Sequence, residues 1–167
     1  MSNDQNEMII EIVKLILTSK KKMVKEEDLI RLYDKSTSDF DETFKNLYEQ
    51  FNKLGFELIK SEFQGKNYYI LTSEGKDDNI TPSQYGSLAL IAALSKDVNE
   101  NIKIEDLKEI FKDQWNSDIR FLIDNDFLRI IDNVGIVKIT PIGKAILKEI
   151  LPDLSLDKLL DIFEIDE

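Results

Sequence analysis

The sequence predicts an α+β protein, mainly helical, built as two consecutive modules of three helices and a β-hairpin, with a C-terminal helical tail. Three observations predict it. Apolar residues recur at spacings of three and four over three successive segments, and this happens twice along the chain. Each set is followed by two short runs rich in aromatic and branched residues around a polar, turn-like stretch. A short pattern also repeats: Thr72-Ser73-Glu74-Gly75-Lys76 and Thr140-Pro141-Ile142-Gly143-Lys144 share Thr-x-x-Gly-Lys, each after the second strand of a hairpin.

The first module takes residues 1–76. Met8 to Thr18 reads as a helix with a broad buried face, carrying Ile9, Ile12, Val13, Leu15, Ile16 and Leu17. Lys20-Lys21-Lys22 ends it, and Met23-Val24 is a very short strand. Lys25 to Tyr33 is the second helix, with Leu29, Leu32 and Tyr33 inward. The third starts at Thr37 or Ser38, where Ser38-Asp39-Phe40-Asp41 resembles a capping box. Phe40, Phe44, Leu47, Tyr48 and Phe51 follow at helical spacing, and Gly55 sits where a C-terminal cap belongs. Phe56 to Phe63 and Tyr68 to Thr72 are the strands of a hairpin, with Gln64-Gly65-Lys66-Asn67 between them. The aromatic set Phe40, Phe44, Tyr48, Phe51, Phe56, Tyr68 and Tyr69 is expected to be core.

Ser73 to Asn79 is polar and reads as a linker. The second module takes residues 77–151. Thr81-Pro82-Ser83-Gln84 signals a helix start: a capping threonine, proline at the first position and glutamine at the third. The helix Pro82 to Ser95 is apolar nearly all round, and Gly86, Ser87, Ala89, Ala92 and Ala93 would permit close packing. Ile102 to Gln114 is the next helix, with Ile104, Leu107, Ile110 and Phe111 inward. Asn116 or Ser117 caps a third that ends near Asp124. Phe127 to Ile131 and Ile136 to Thr140 form the second hairpin, and Gly55-Phe56 and Asp126-Phe127 occupy matching places before the two hairpins. A helix continues from Gly143 to about Leu151, where Pro152 breaks it. Residues 152–167 are an acidic tail in which Leu154 to Phe163 has the pattern of an amphipathic helix. Three helices and a hairpin are the layout of a winged helix, a relative of the helix-turn-helix.

Composition narrows the chemistry. The 167 residues include no cysteine and no histidine. That removes disulfides, ordinary zinc sites and triads built on histidine or a thiolate. Thirty-three acidic residues produce many chance carboxylate pairs, and none has a convincing partner for acid–base work. The six glycines are scattered and make no phosphate-binding loop. No catalytic, cofactor-binding or metal site is expected. No apolar run approaches membrane-spanning length, and Met1 to Glu7 lacks the pattern of a secretory signal. The expected location is cytoplasmic and nucleoid-associated, or nuclear in a eukaryote, with no membrane contact.

A net charge of -11 disfavours nonspecific binding to phosphate backbones. The third helices of the two modules carry Asp39, Asp41, Glu42 and Glu49 against Lys45 and Lys53, and Asp118, Asp124 and Asp126 against Arg120. Groove reading by either is not expected. Lys20, Lys21 and Lys22, with Lys60 and Lys66 in and near the first wing, are the candidates for a DNA-backbone contact; a solvated loop is the plain reading of the same residues. Trp115 is a candidate partner anchor, since Trp is enriched in binding hot spots, and a half-buried core position suits it equally.

The first module resembles the MAGE homology domain. The residues that carry the resemblance are the helix Ile9 to Leu17, Met23-Val24-Lys25-Glu26-Glu27-Asp28-Leu29, Phe51-Asn52-Lys53-Leu54-Gly55-Phe56-Glu57-Leu58 and Tyr68-Tyr69-Ile70-Leu71. In the second module Gly86-Ser87-Leu88-Ala89-Leu90-Ile91-Ala92-Ala93-Leu94 is similar to the family's apolar helix, and Glu105-Asp106-Leu107 with Phe111 to its next one. Bacterial segregation and condensation protein B is similar in outline, through Leu88-Ala89-Leu90-Ile91-Ala92-Ala93. Both belong to the kite class, tandem winged-helix subunits that clasp the kleisin chain of SMC chromosome complexes. The resemblance spans about residues 8 to 150 and rests mostly on core-forming motifs.

What the resemblance implies is a non-enzymatic accessory subunit of an SMC complex for chromosome condensation, segregation or DNA repair. It would bind a kleisin and through it an SMC ATPase, and dimerise with itself or with a sister kite protein. Tyr85 and Leu88 are the residues expected to line the kleisin groove. The chain departs from some kite proteins in showing no obvious basic surface, so direct DNA binding would be weak. Two alternatives stay open: a winged-helix transcription regulator using Lys20 to Lys22 and a wing, and a tandem winged-helix scaffold for protein–protein contacts.

Overall fold

The computed structural model describes residues 3–33, 40–73 and 79–157. The chain forms two compact units, Met1–Lys76 and Asp77–Glu167. Both are α+β, with helices packed around a small antiparallel sheet.

In the first unit the order is α1 (Asn3–Thr18), a 3-10 turn (Lys20–Lys22), β1 (Met23–Lys25), α2 (Glu26–Tyr33), α3 (Phe40–Lys53), β2 (Phe56–Phe63) and β3 (Lys66–Ser73). Helix α1 begins five residues before the apolar periodicity does. The sheet order is β1-β3-β2. Strands β2 and β3 are joined through Gln64 and Gly65, both at positive φ (51° and 73°). That is the backbone of a two-residue type I′ turn, whose twist matches paired strands. Register follows from it, with Leu58 opposite Leu71 and Lys60 opposite Tyr69.

The core joins Ile12 and Ile16 of α1, Leu29 of α2, and Phe44, Leu47 and Phe51 of α3 to Leu58 and Leu71 of the wing. Of the expected aromatic core, Phe44 and Phe51 are buried, while Phe40, Phe56, Tyr68 and Tyr69 are half-buried. Tyr48 is a correction: it is 41% exposed, because the inward seam of α3 runs through Phe44, Leu47 and Phe51 and leaves Tyr48 beside it. Gly55 ends α3 at φ 80°, the left-handed position expected of a C-cap glycine. The capping box at Ser38 falls on 34–39, outside the described residues, as does most of the 73–79 linker.

In the second unit the order is α4 (Pro82–Asp97), β4 (Ile102–Lys103), α5 (Ile104–Ile110), a π-helical turn (Trp115–Ile119), α6 (Arg120–Asp124), β5 (Leu128–Ile131), β6 (Ile136–Ile139) and α7 (Pro141–Ile146). The sheet order is β4-β6-β5, matching the first unit strand for strand. Thr81 caps α4 as expected: its hydroxyl accepts the Gln84 N–H at 3.2 Å, and the Gln84 side chain accepts the Thr81 N–H at 3.0 Å. Leu88, Ile91 and Ala93 of α4 are wholly buried. Gly86 does not take part in that packing: it is exposed, with nothing within 4 Å of a Cβ built on it.

Four expected boundaries shift. Ile102 and Lys103 are extended rather than helical, because they pair with Val137 and Ile136 of the wing. Helix α5 therefore starts at Ile104; it ends at Ile110, short of Gln114, and Ile110 is 49% exposed instead of inward. Neither Asn116 nor Ser117 caps the next helix; the chain enters it from Gln114 through the wider turn at Trp115–Ile119. After α7 the chain runs on in turns to Asp153 instead of continuing as a regular helix to Leu151. Lys96 holds this stretch, its ammonium donating to the carbonyls of Leu151 and Leu154 at 2.6 Å each. The tail helix expected over Leu154 to Phe163 lies mostly outside the described residues.

Candidate partner-binding surface

Sheet register assembles a polar cluster in the first unit that spacing along the chain gave no hint of. Lys60 on β2 stands opposite Tyr69 on β3, and Asn67 lies two residues from Tyr69 on the same face. Strand β1 pairs alongside and delivers Glu26, the first residue of α2, to that face. The Glu26 carboxylate accepts hydrogen bonds from Lys60 Nζ at 2.7 Å, Asn67 Nδ2 at 2.8 Å and the Tyr69 hydroxyl at 3.2 Å. The Lys60 bond is the largest of the influences that hold the Glu26 carboxyl below its ordinary pKa. The Lys60 ammonium is raised chiefly by the same bond, and burial pushes the Tyr69 hydroxyl up. Three donors on one carboxylate make a clasp between wing and α2, and leave no base poised for chemistry.

The clasp changes the expectation for the wing lysines. Lys60 is spent on Glu26, and Lys66 lies 3.7 Å from Glu27. A phosphate approaching either meets a carboxylate as well, which weakens the basic patch at the wing. Lys20, Lys21 and Lys22 remain exposed in the turn between α1 and β1. Lys21 and Lys22 both have positive φ, 60° and 53°, a backbone state unusual for residues with a side chain.

In the second unit, Tyr85 is half-buried on α4, but Leu88 is wholly buried. Leu88 faces inward and anchors α4 to its own core, which removes it from any surface a partner touches. Trp115 is half-buried, and Lys108 of α5 reaches over its ring with Nζ 5.5 Å from the centroid. Ile110 is exposed on the same short helix. A half-buried indole with a lysine over its ring is a surface suited to an amphipathic segment.

The acidic residues of the third helix also sort differently in the structure. Asp118 is 5% exposed and turned inward. It accepts from Ser83 Oγ at 2.6 Å and Ser87 Oγ at 3.1 Å, both on α4. Asp126 is bound by the Arg129 guanidinium, with both carboxylate oxygens at 2.9 Å from Nη2. Asp124 stays exposed, as do Asp41, Glu42 and Glu49 in the first unit. Among the described residues no helix is long and apolar enough to cross a membrane.

No protein-family model and no curated protein matches the sequence. Among solved structures, a chain of the Nse1-Nse3-Nse4 complex shares the fold with a TM-score of 0.52 and 11% identity, over 88% of this chain and 72% of that one. That similarity extends across both units. It establishes the α+β, tandem winged-helix architecture expected from the kite resemblance, as a likeness of fold.

Proposed function

We propose that this chain is a non-enzymatic, kite-type accessory subunit that binds the kleisin of an SMC complex and through it the SMC ATPase. The observation that carries the reading is the fold shared along most of the chain with a member of a multiprotein complex. The kite-like sequence passages agree with it, and so does a sequence without histidine or cysteine. Chromosome segregation, condensation or repair is the setting this reading gives the protein, with a nucleoid or nuclear location.

The contact residues in the second unit are Tyr85 and Trp115, both accessible, with Lys108 over the indole. A kleisin segment binds there as an amphipathic helix laid in a groove, its apolar side on the aromatic rings. Capture of the purified chain by an immobilised kleisin tests this. Tyr85→Ala and Trp115→Ala each weaken capture about tenfold or more if the rings are hot spots. Capture unchanged in the double variant rules out this surface.

A further inference from the structure

The turn that carries Trp115 is wider than an α-helix. The Gln114 carbonyl accepts both the Asp118 N–H at 2.8 Å and the Ile119 N–H at 3.2 Å. The Arg120 N–H goes to the Trp115 carbonyl. Two successive bonds thus reach back five residues instead of four, a rare arrangement that concentrates at functional positions. In a regular α-helix Trp115 and Asp118 would lie within roughly 60° of each other. The wider turn opens that angle, so Asp118 is buried while Trp115 stays half-exposed.

Asp118 fixes the turn in this form. One carboxylate oxygen, Oδ2, accepts from the hydroxyls of both Ser83 and Ser87, at 2.6 and 3.1 Å. The two serines are four residues apart and share one face of α4. The end of α4 that bears Ser83 is itself held by the Thr81–Gln84 capping box. A buried carboxylate without hydrogen-bond donors is costly, so the turn has one favourable seat, the place where both hydroxyls meet it. Lys108 of α5 lies over the indole, with Nζ 5.5 Å from the ring centroid. Trp115 is thus held through its ring by α5, and through the backbone it shares with Asp118 by α4.

We propose that Asp118 is a positioning residue for Trp115: seated on Ser83 and Ser87, it keeps the π-helical turn in the register that presents the indole to a partner. Without that seat nothing fixes the wider turn, and the indole samples several orientations. This deepens the accessory-subunit reading and rests on it only in taking Trp115 as a partner contact.

Trp115 is the only tryptophan of the chain, so fluorescence of the purified full-length protein reports on it directly. Asp118→Ala, and separately the double variant Ser83→Ala, Ser87→Ala, lower the indole's anisotropy and increase its quenching by acrylamide. Both keep the far-ultraviolet circular dichroism of the wild type. Asp118→Asn retains an oxygen that accepts both hydroxyls and keeps the wild-type fluorescence. Capture by the immobilised kleisin weakens about tenfold in the first two and not in the third. Should Asp118→Ala fail to fold, the serine variant carries the same test. A folded variant of either kind whose indole is as fixed as in the wild type overturns the proposal. So does an Asp118→Asn chain that behaves like Asp118→Ala, or a loosened indole that leaves capture unchanged. The fluorescence needs no kleisin: a wild-type chain that is never captured refutes the accessory-subunit reading alone, and an unmoved indole refutes the positioning role alone.

Discussion

Gly143 lies so close to Phe127 that a Cβ placed on it would stand 2.4 Å from the Phe127 carbonyl oxygen. The approach is built by the neighbouring Thr140, which caps α7 by accepting the Gly143 N–H at 3.2 Å and turns its own hydroxyl hydrogen toward the carbonyls of Asp126 and Phe127. The Thr-x-x-Gly pattern of the second module is thus a capped helix pressed on the wing, against Phe127 just before its first strand and Ile139 at the end of its second. Gly143→Ala forces backbone apart and destabilises the unit by about 1–3 kcal/mol. Gly86→Ala, in the open middle of α4, stabilises by about 0.5–1 kcal/mol. Urea unfolding of the two variants, followed by circular dichroism, shows opposite signs; equal shifts would contradict the packing described.

The Glu26 clasp predicts a pH dependence. The folded Glu26 carboxyl lies below its ordinary pKa. Its contribution is therefore complete above the ordinary carboxylate value of about 4.3 and is lost as pH falls through the folded value. Lys60 is raised, so its share holds below the ordinary lysine range and is lost as pH rises through the folded value. Wild type melts above Glu26→Gln at about pH 7, and the gap closes as pH falls through the folded value and the carboxyl protonates. A gap that is constant across the acid range would show that the clasp carries no charge-dependent stability.

Asp118 is a buried carboxylate held by Ser83 and Ser87. Asp118→Ala removes charge-assisted hydrogen bonds and leaves Ser87, itself buried, without its acceptor. A loss of about 1.5–3 kcal/mol is expected. Ser83, on the exposed side, turns to water, so Ser83→Ala costs less than Ser87→Ala. Denaturant midpoints of the three variants check the order.

The Lys20–Lys22 turn is the basic patch that remains once Lys60 and Lys66 are paired. Double-stranded DNA is bound weakly, with log K falling against log salt at a slope no steeper than about −3, since at most three phosphates are neutralised. Replacing all three lysines by alanine flattens that slope. Tight DNA binding that survives the replacement would favour the transcription-regulator reading through another surface.

Local signals carried much of the architecture. Thr81, Pro82 and Gln84 announce α4 because a capping box is made within four residues. Gln64-Gly65 announces the first wing because the turn needs two positive φ angles. Gly55 and Asp126, matched in the sequence, both take the left-handed conformation before a wing, at φ 80° and 62°. What the sequence did not disclose depends on partners far along the chain. Ile102 and Lys103 are extended because Val137 and Ile136 pair with them. Glu26 meets donors 34, 41 and 43 residues away, and Asp118 meets serines 35 and 31 residues away. Side-chain spacing within one helix says nothing of such meetings, so Asp118 read as a surface acid and Lys60 as a free cation. Leu88 shared an apolar helix with Tyr85, and periodicity could not tell which of the two faced out.

The account turns on the partner. Tagged protein purified from its own cells at near-physiological salt, with bound chains identified by mass spectrometry, tests it most directly. Recovery of a kleisin together with an SMC ATPase is the predicted result, with both lost in the Tyr85→Ala, Trp115→Ala variant. A preparation that contains neither chain, with the protein intact and folded, would contradict it.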